Sequence, residues 1–252
     1  MRKTETAKID IVVERLRELR LGGMADMLKA MKEDGSISSE SAQKVLDCLT
    51  NQEELIRRTR KTKRLLRSAR LYYPSANIPG IIQNESKKLN TALLDSLLTC
   101  EYISGSQPVW VLGSSGTGKT YISSVLGNQA CILQYSVRYF STSEFFQLCA
   151  EAELNGEFKA FLCGVCKKNL IILDDFLLTG VTFSQATYLF ELLNHPVDPK
   201  HPRSIMISSQ LMEEEMKLRL AEVSPSLAEA IMSRLKSKRL VLVITGKDMR
   251  AN

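Results

Sequence analysis

The chain has 252 residues, 44% of them hydrophobic and 25% charged, which suits a folded protein of one large domain or of a large and a small one. No run approaches the roughly 18 apolar residues of a membrane span. The opening "MRKTETAKIDIVVERL" has no uninterrupted apolar core, so no signal peptide and no membrane partner are expected, and a cytoplasmic location is. The net charge of +6 is concentrated: residues 57–70, "RRTRKTKRLLRSAR", hold eight Lys or Arg and no acid. A local field of that kind predicts a polyanionic partner.

In chain order, residues 5–71 read as all-helical. Ile9, Val12, Val13, Leu16 and Leu19 recur at helical spacing, Gly22 and Gly23 break the helix, and "MADMLKAM" restarts it. "DGSISSE" reads as a loop with Ser38 or Ser39 as the next N-cap. A long helix then runs from about 40 to 71. Its first half offers Val45, Leu46, Leu49, Leu55 and Ile56 as apolar contacts, and its second half carries the basic run. Arg57, Lys61 and Arg64 share one face, and Arg60, Arg64 and Arg67 extend it. "YYPSANIPG" follows, where Pro74 and Pro79 end the helix and form a hinge. These signals divide the chain into a helical DNA-binding and assembly domain (1–73), a linker with a lead-in helix (74–107) and a core (108–252).

The core alternates short apolar strands with helices. The strands are "VWVL" (109–112), "VRYF" (137–140), "LIIL" (170–173), "SIMIS" (204–208) and "LVLVI" (240–244). Ser141 with Glu144 and Ser226 with Glu229 have the spacing of capping boxes. Strands that are apolar throughout predict an α/β fold: a parallel five-stranded sheet with helices on both faces. Cys163 and Cys166 form a C-x-x-C without a second pair or a close histidine. They read as two small apolar residues on a buried helix face, not as metal ligands.

The sharpest motif is "GSSGTGKT", residues 113–120, which satisfies G-x-x-x-x-G-K-[ST] between a strand and a helix. Gly113, Ser114, Ser115, Gly116, Thr117, Gly118, Lys119 and Thr120 are therefore expected to bind the phosphates of a nucleotide. Backbone N–H groups and the helix N-terminus supply the cradle. Lys119 is expected on the β- and γ-phosphates and Thr120 on Mg²⁺. "NLIILDDF" then places Asp174 and Asp175 at the C-terminal end of an apolar strand, where such sheets bind ligands. Asp174 is expected to serve Mg²⁺ and Asp175 to orient the attacking water. Ser208, Ser209 or Gln210, after the fourth strand, offers a polar group near the γ-phosphate. Arg234, in "AEAIMSRLKSKR", is the candidate arginine finger, able to act across a subunit boundary.

Taken together, the chain resembles the IstB-like ATP-binding proteins, AAA+ helper ATPases of bacterial insertion-sequence transposition related to DnaC-type helicase loaders. The resemblance rests on "LRELRLGGMADML", "RLLRSARLYYPSANI", "LLTCEYI", "GSSGTGKT", "LIILDDF", "ISSQL", "LAEAIMSRL" and "TGKDMR". It implies an AAA+ P-loop ATPase core with ATP and Mg²⁺ as cofactors and with Asp174 and Asp175 as the Walker-B pair. It also implies a sensor role for Gln210, an ATP-linked homo-oligomer through Arg234, and no helical lid after the fifth strand. A lid-borne second sensor arginine is then missing, and whether Arg250 substitutes is left open by the resemblance. Three positions depart from the family's pattern. Ser114-Ser115 replaces Pro-Thr, and Leu177 stands where many relatives have Gly.

On this reading the basic run contacts DNA through phosphates and shape more than through base edges. The expected function is an ATP-dependent factor that oligomerises on double-stranded DNA, slow in hydrolysis, and delivers target DNA to the transposase of the same element. A nucleoid-associated bacterial location goes with that role. The first alternative is a DnaC-like helicase loader on single strands, with the Ile9–Leu19 stripe as its partner surface. The second is a metabolic kinase with a small-molecule acceptor, which the charge concentration and Arg234 disfavour.

Overall fold

The computed structural model describes residues 2–82 and 89–246, which fall into two compact units, 1–64 and 65–252. The smaller unit holds α1 (Arg2–Glu18), α2 (Gly22–Glu33), a 3-10 turn (Ser36–Ser38) and all but the last five residues of α3 (Ala42–Ala69). Its core is Val13, Ala25, Leu28 and Leu49, with Ile9, Leu16, Met27 and Val45 partly buried around them. Val12, Leu19, Leu46 and Leu55 were expected among these contacts but are exposed. The stripe Ile9–Val13–Leu16 already fills the face that one neighbouring helix can cover, and Val12 and Leu19 lie beside that stripe.

The glycines of "LGG" do not interrupt a helix; they open α2, after a break at Arg20, whose φ is +60°. The break lets α2 start against α3. A Cβ on Gly23 would lie 2.8 Å from the Glu53 Cα, so only glycine allows this approach. The Glu53 carboxylate accepts the Gly23 N–H at 2.7 Å and the Met24 N–H at 3.3 Å, satisfying amide groups that α2 leaves open in its first turn. Burial works to raise the Glu53 pKa. The Arg57 guanidinium, 2.6 Å away, and the two N–H groups outweigh burial and hold it below the usual 4.5. The N-cap of α3 is Ser41, not Ser38 or Ser39. Its Oγ accepts the Lys44 N–H at 3.3 Å, because Ser38 is taken up by the 3-10 turn.

The larger unit begins inside α3. Leu65, Ala69 and Leu71, assigned from sequence to the N-terminal domain, are buried in the core of this unit. The units therefore part at Arg64, not at residue 73: apolar positions continue to the end of the basic run and bind the helix's last turns to the sheet. After α3 come α4 (Pro79–Ile82), α5 (Thr91–Leu98) and α6 (Glu101–Ser104). The alternating core follows as β1 (Val109–Leu112), α7 (Lys119–Ile132), β2 (Val137–Ser141), α8 (Thr142–Leu154), α9 (Phe158–Cys166) and β3 (Leu170–Asp174). It continues as α10 (Phe183–Asn194), β4 (Ser204–Ser209), α11 (Glu213–Ala221), α12 (Pro225–Lys236) and β5 (Leu240–Val243). On α9, Cys166 is buried and Cys163 half-buried.

The five strands pair in parallel in the order β2-β3-β4-β1-β5. Their side chains alternate between two cores. Val109, Val111, Ile172 and Met206 face α5, α6 and α7. Trp110, Leu112, Ile171, Leu173 and Ile207 face α8 to α12. That double burial is why the strands carry no polar alternation. Ser141 caps α8 as expected, accepting the Glu144 N–H at 3.1 Å. The cap of α12 is Ser224, two residues before the expected Ser226, with Pro225 at N1. The indole N–H of Trp110 donates to the Leu235 carbonyl at 3.1 Å, anchoring the end of α12 to β1.

Candidate nucleotide-binding site

The site forms where β1, β3 and β4 end beside α7. Gly113 sits so close to β5 that a Cβ would fall 2.4 Å from the Ile244 carbonyl oxygen. Gly116 and Gly118 have φ of +71° and +89°, and Gly118 caps α7. Side-chain-bearing residues rarely adopt that conformation, so the glycines are what lets the loop curl back on itself. The curl is held from inside: Thr117 Oγ1 donates to the Ser114 carbonyl at 2.9 Å, and Lys119 Nζ to the same oxygen at 2.8 Å. Lys119 is buried at 5% exposure, and Thr117 at 1%. The N-terminus of α7 opens into a cavity of about 480 Å³ lined by Ser115, Gly116, Gly118, Lys119, Thr120, Asp174, Asp175 and Gln210. Sequence reading thus placed together a set of residues that the fold does bring to one cavity.

Asp174 ends β3 and is 2% exposed. Tyr139 donates to its Oδ2 at 2.8 Å, and the Ser208 hydroxyl donates to its Oδ1. Thr142 fixes its backbone carbonyl at 2.8 Å. Burial raises its pKa above the usual 3.8, the Thr120 and Tyr139 hydroxyls oppose that rise, and the neighbouring Asp175 adds to it. Tyr139 is pushed far above the ordinary phenol range by burial and by the Asp174 charge, so it stays a neutral donor. Thr120 and Asp174, the two residues expected at a magnesium ion, line the same cavity. A buried carboxylate with a hydroxyl beside it is the donor set a hard cation uses.

Asp175 has φ of +51° and Leu177 of +55°, both in the left-handed region. Such a conformation costs a residue with a Cβ roughly 1–2 kcal/mol. The turn is pinned at each residue. Phe176 N–H donates to the Ser208 carbonyl at 2.7 Å, and Ser209 Oγ to the Phe176 carbonyl at 2.7 Å. Arg219 of α11 donates to the carbonyls of Leu177, at 2.8 Å, and Leu178. Of the three polar residues ending β4, Ser208 and Ser209 are thus engaged in the turn, and Gln210 lines the cavity.

Arg234 does not line the cavity. Its guanidinium donates to Asn194 Oδ1 at 2.7 Å and to the Ala230 carbonyl at 2.8 Å, and lies 5.1 Å over the Phe190 ring. Arg250 lies outside the described residues.

Four tyrosines went unread in the sequence. Tyr72, Tyr73, Tyr121 and Tyr139 line the same cavity, with ring centroids 4.8 Å apart for Tyr72–Tyr73 and 5.8 Å for Tyr73–Tyr121. The segment "YYPSANIPG", read as a hinge, is bound to α7 instead. Asn128 Nδ2 donates to the Pro74 and Ala76 carbonyls, Tyr121 exchanges hydrogen bonds with the Asn77 backbone, and Gly80 closes on the Tyr121 hydroxyl. The available signal was the paired aromatics just before the prolines.

All eight basic residues of 57–70 are exposed. Among the described residues, Arg57 alone of the eight has a carboxylate within ion-pair distance, that of Glu53. Arg60, Lys61, Arg64 and Arg67 lie along the same helix.

A parallel sheet in this strand order, with a phosphate loop after β1 and an Asp pair after β3, defines a P-loop NTPase of the AAA+ kind. A family model described as IstB-like ATP binding protein matches residues 14–252, and the chain belongs to that family. Among curated proteins, it is 27% identical over 236 residues to the insertion sequence ATP-binding protein y4uH of Sinorhizobium fredii, covering 93% of this chain and 92% of the relative. It is 29% identical over 199 residues to the ATP-binding protein of insertion sequence IS1162 of Pseudomonas fluorescens, covering 79% and 85%. Among solved structures, DnaI superposes with a TM-score of 0.51 at 20% identity over 74% of this chain and 92% of that one. A DNA replication initiation factor does so at 0.50 and 23% identity, over 67% of this chain and 49% of that one. Among the described residues no helix is long and apolar enough to cross a membrane.

Proposed function

We propose that this chain is an ATPase that assembles into oligomers on double-stranded DNA and assists the transposase of its insertion sequence in choosing or entering the target. The single observation that carries the reading is the meeting, in one cavity, of the α7 N-terminus, Lys119, Thr120 and the two carboxylates Asp174 and Asp175. The names of the relatives supply the insertion-sequence context.

In this account the N–H groups of residues 113–120 receive the phosphates, and Lys119 leaves the Ser114 carbonyl to meet the β- and γ-phosphates. Tyr72, Tyr73 and Tyr121 form the wall against which the rest of the nucleotide lies. Thr120 and Asp174 would hold Mg²⁺, which would supply neutralisation of phosphate charge. Asp175 takes the proton of, or orients, the attacking water, and Gln210 reaches the γ-phosphate side. Arg234 is too engaged with Asn194 and Phe190 to serve its own site, and acts on that of a neighbouring copy.

The basic helix supplies the DNA contact. Arg60, Lys61, Arg64 and Arg67 meet backbone phosphates, and Arg57 contributes less because Glu53 holds it. One such helix binds weakly, and copies aligned by ATP bind tightly. The test is light scattering of protein with a short duplex and a non-hydrolysable ATP analogue. Large assemblies that dissolve with ADP, and that Arg234→Ala prevents, are expected. A monomer under every nucleotide condition would contradict the reading.

A further inference from the structure

We infer that Arg219 is a positioning residue for hydrolysis: by clasping the carbonyls of Leu177 and Leu178 it holds a turn that would otherwise relax, and so sets the direction of Asp175. The inference rests on the ATPase reading of this site. Asp175 and Leu177 both have left-handed backbone, two residues apart. Between them Phe176 is fully buried and fixed to β4 at both its N–H and its carbonyl. The turn therefore cannot relax at Phe176. It can relax only at its two left-handed ends. Leu177 is the strained one without a compensating polar side chain: leucine gains nothing in this region, whereas Asp tolerates it. Glycine would hold the same conformation without strain.

Arg219 offsets the strain. Its guanidinium reaches from α11 to the two carbonyls that follow the strained peptide. One guanidinium nitrogen, with two N–H groups, donates to both adjacent carbonyls. If Leu177 rotated toward ordinary φ, these carbonyls would turn away from Arg219. The Leu178 N–H would also leave the Asp175 carbonyl, which it now meets at 3.2 Å. The Asp175 side chain, at the cavity wall, would swing with it. Arg219 thus acts through the turn and touches no nucleotide.

The test is a double-mutant cycle of Arg219→Ala and Leu177→Gly. Thermal midpoint is read without nucleotide, and kcat and nucleotide Kd are read with Mg-ATP and duplex DNA. R219A is expected to lower kcat roughly ten- to hundredfold, the range a small misplacement of a catalytic group produces, with nucleotide Kd changed by less than about threefold. In the R219A background, L177G should recover most of the lost kcat and raise the thermal midpoint by more than it does in the wild-type background. Should R219A lose its cooperative transition, R219K replaces it in the same cycle, with a smaller kcat loss and the same rescue expected. Additive midpoints, or a kcat loss that L177G does not rescue, would overturn the role of Arg219 alone. A wild-type chain that binds nucleotide without hydrolysing it would overturn the ATPase reading, and the positioning role with it.

Discussion

The phosphate loop and the basic helix carry the two halves of the proposed function, and they are built in opposite ways. The loop works by backbone: left-handed glycines, a helix N-terminus and a buried lysine give it one shape, with Lys119 at 5% exposure. The helix works by charge: its basic side chains stand in solvent, and apart from Arg57 none has a carboxylate partner among the described residues. A site defined by backbone geometry is specific before any ligand arrives. A site defined by exposed charge acquires geometry from its partner, and its strength depends on salt and on copy number.

This contrast predicts different responses to damage. The largest effect is expected at the loop. Lys119→Ala should weaken ATP binding by at least about a hundredfold, because it removes the ammonium that would make charge-assisted hydrogen bonds to the β- and γ-phosphates; isothermal calorimetry at constant salt measures this. Next, Arg60→Ala, Arg64→Ala and Arg67→Ala together should weaken duplex DNA binding and lower the log–log salt slope by about 2.7, at about 0.9 per phosphate contact. Nucleotide affinity should stay unchanged in that triple variant. A triple variant that loses ATP binding as well would erase the contrast.

A smaller effect is expected at the joint that holds the N-terminal helices. Glu53→Ala leaves the N–H groups of Gly23 and Met24 without their acceptor and should cost roughly 1–3 kcal/mol of the stability of the small unit. Because the folded-state pKa of Glu53 lies below 4.5, its contribution is present above that pH and is lost as pH falls through the folded value. Acid titration followed by far-ultraviolet dichroism should therefore show the wild type keeping its helix to lower pH than E53A, with the two converging once pH has fallen through the folded value of Glu53. The smallest effect is expected from Tyr139→Phe. It removes one hydroxyl from Asp174 while that of Ser208 remains, and should change Mg-ATP affinity by less than about tenfold.

Much of the core was legible because its signals are local. Continuous apolar strands reveal a sheet buried on both faces, and a glycine-rich turn between strand and helix reveals the cradle. Side chains chosen by distant partners were not legible. Tyr139 reads as a strand residue until Asp174, 35 positions later, is placed beside it. The tyrosines of "YYPSANIPG" read as linker because nothing in that stretch announces Asn128 or Tyr121 as its partners. Arg219 looks like one more charge on an acidic helix until the Leu177 turn is seen against it. Caps slipped by two or three residues, at Ser41 and Ser224, where several serines in a row offered equal chemistry. The domain boundary moved because charge ends a surface but not a helix: Leu65 and Ala69, at the end of the same helix, belong to the core of the larger unit.

The most direct test of the account is equilibrium binding of the full chain to labelled duplex and single-stranded DNA in the presence of ADP, ATP or a non-hydrolysable ATP analogue, at one fixed salt concentration. The account predicts tight binding to duplex DNA, only with the triphosphate, in complexes of many copies. Equal binding with ADP and with the analogue would contradict the link between the loop and the helix, and a preference for single strands would point to helicase loading instead.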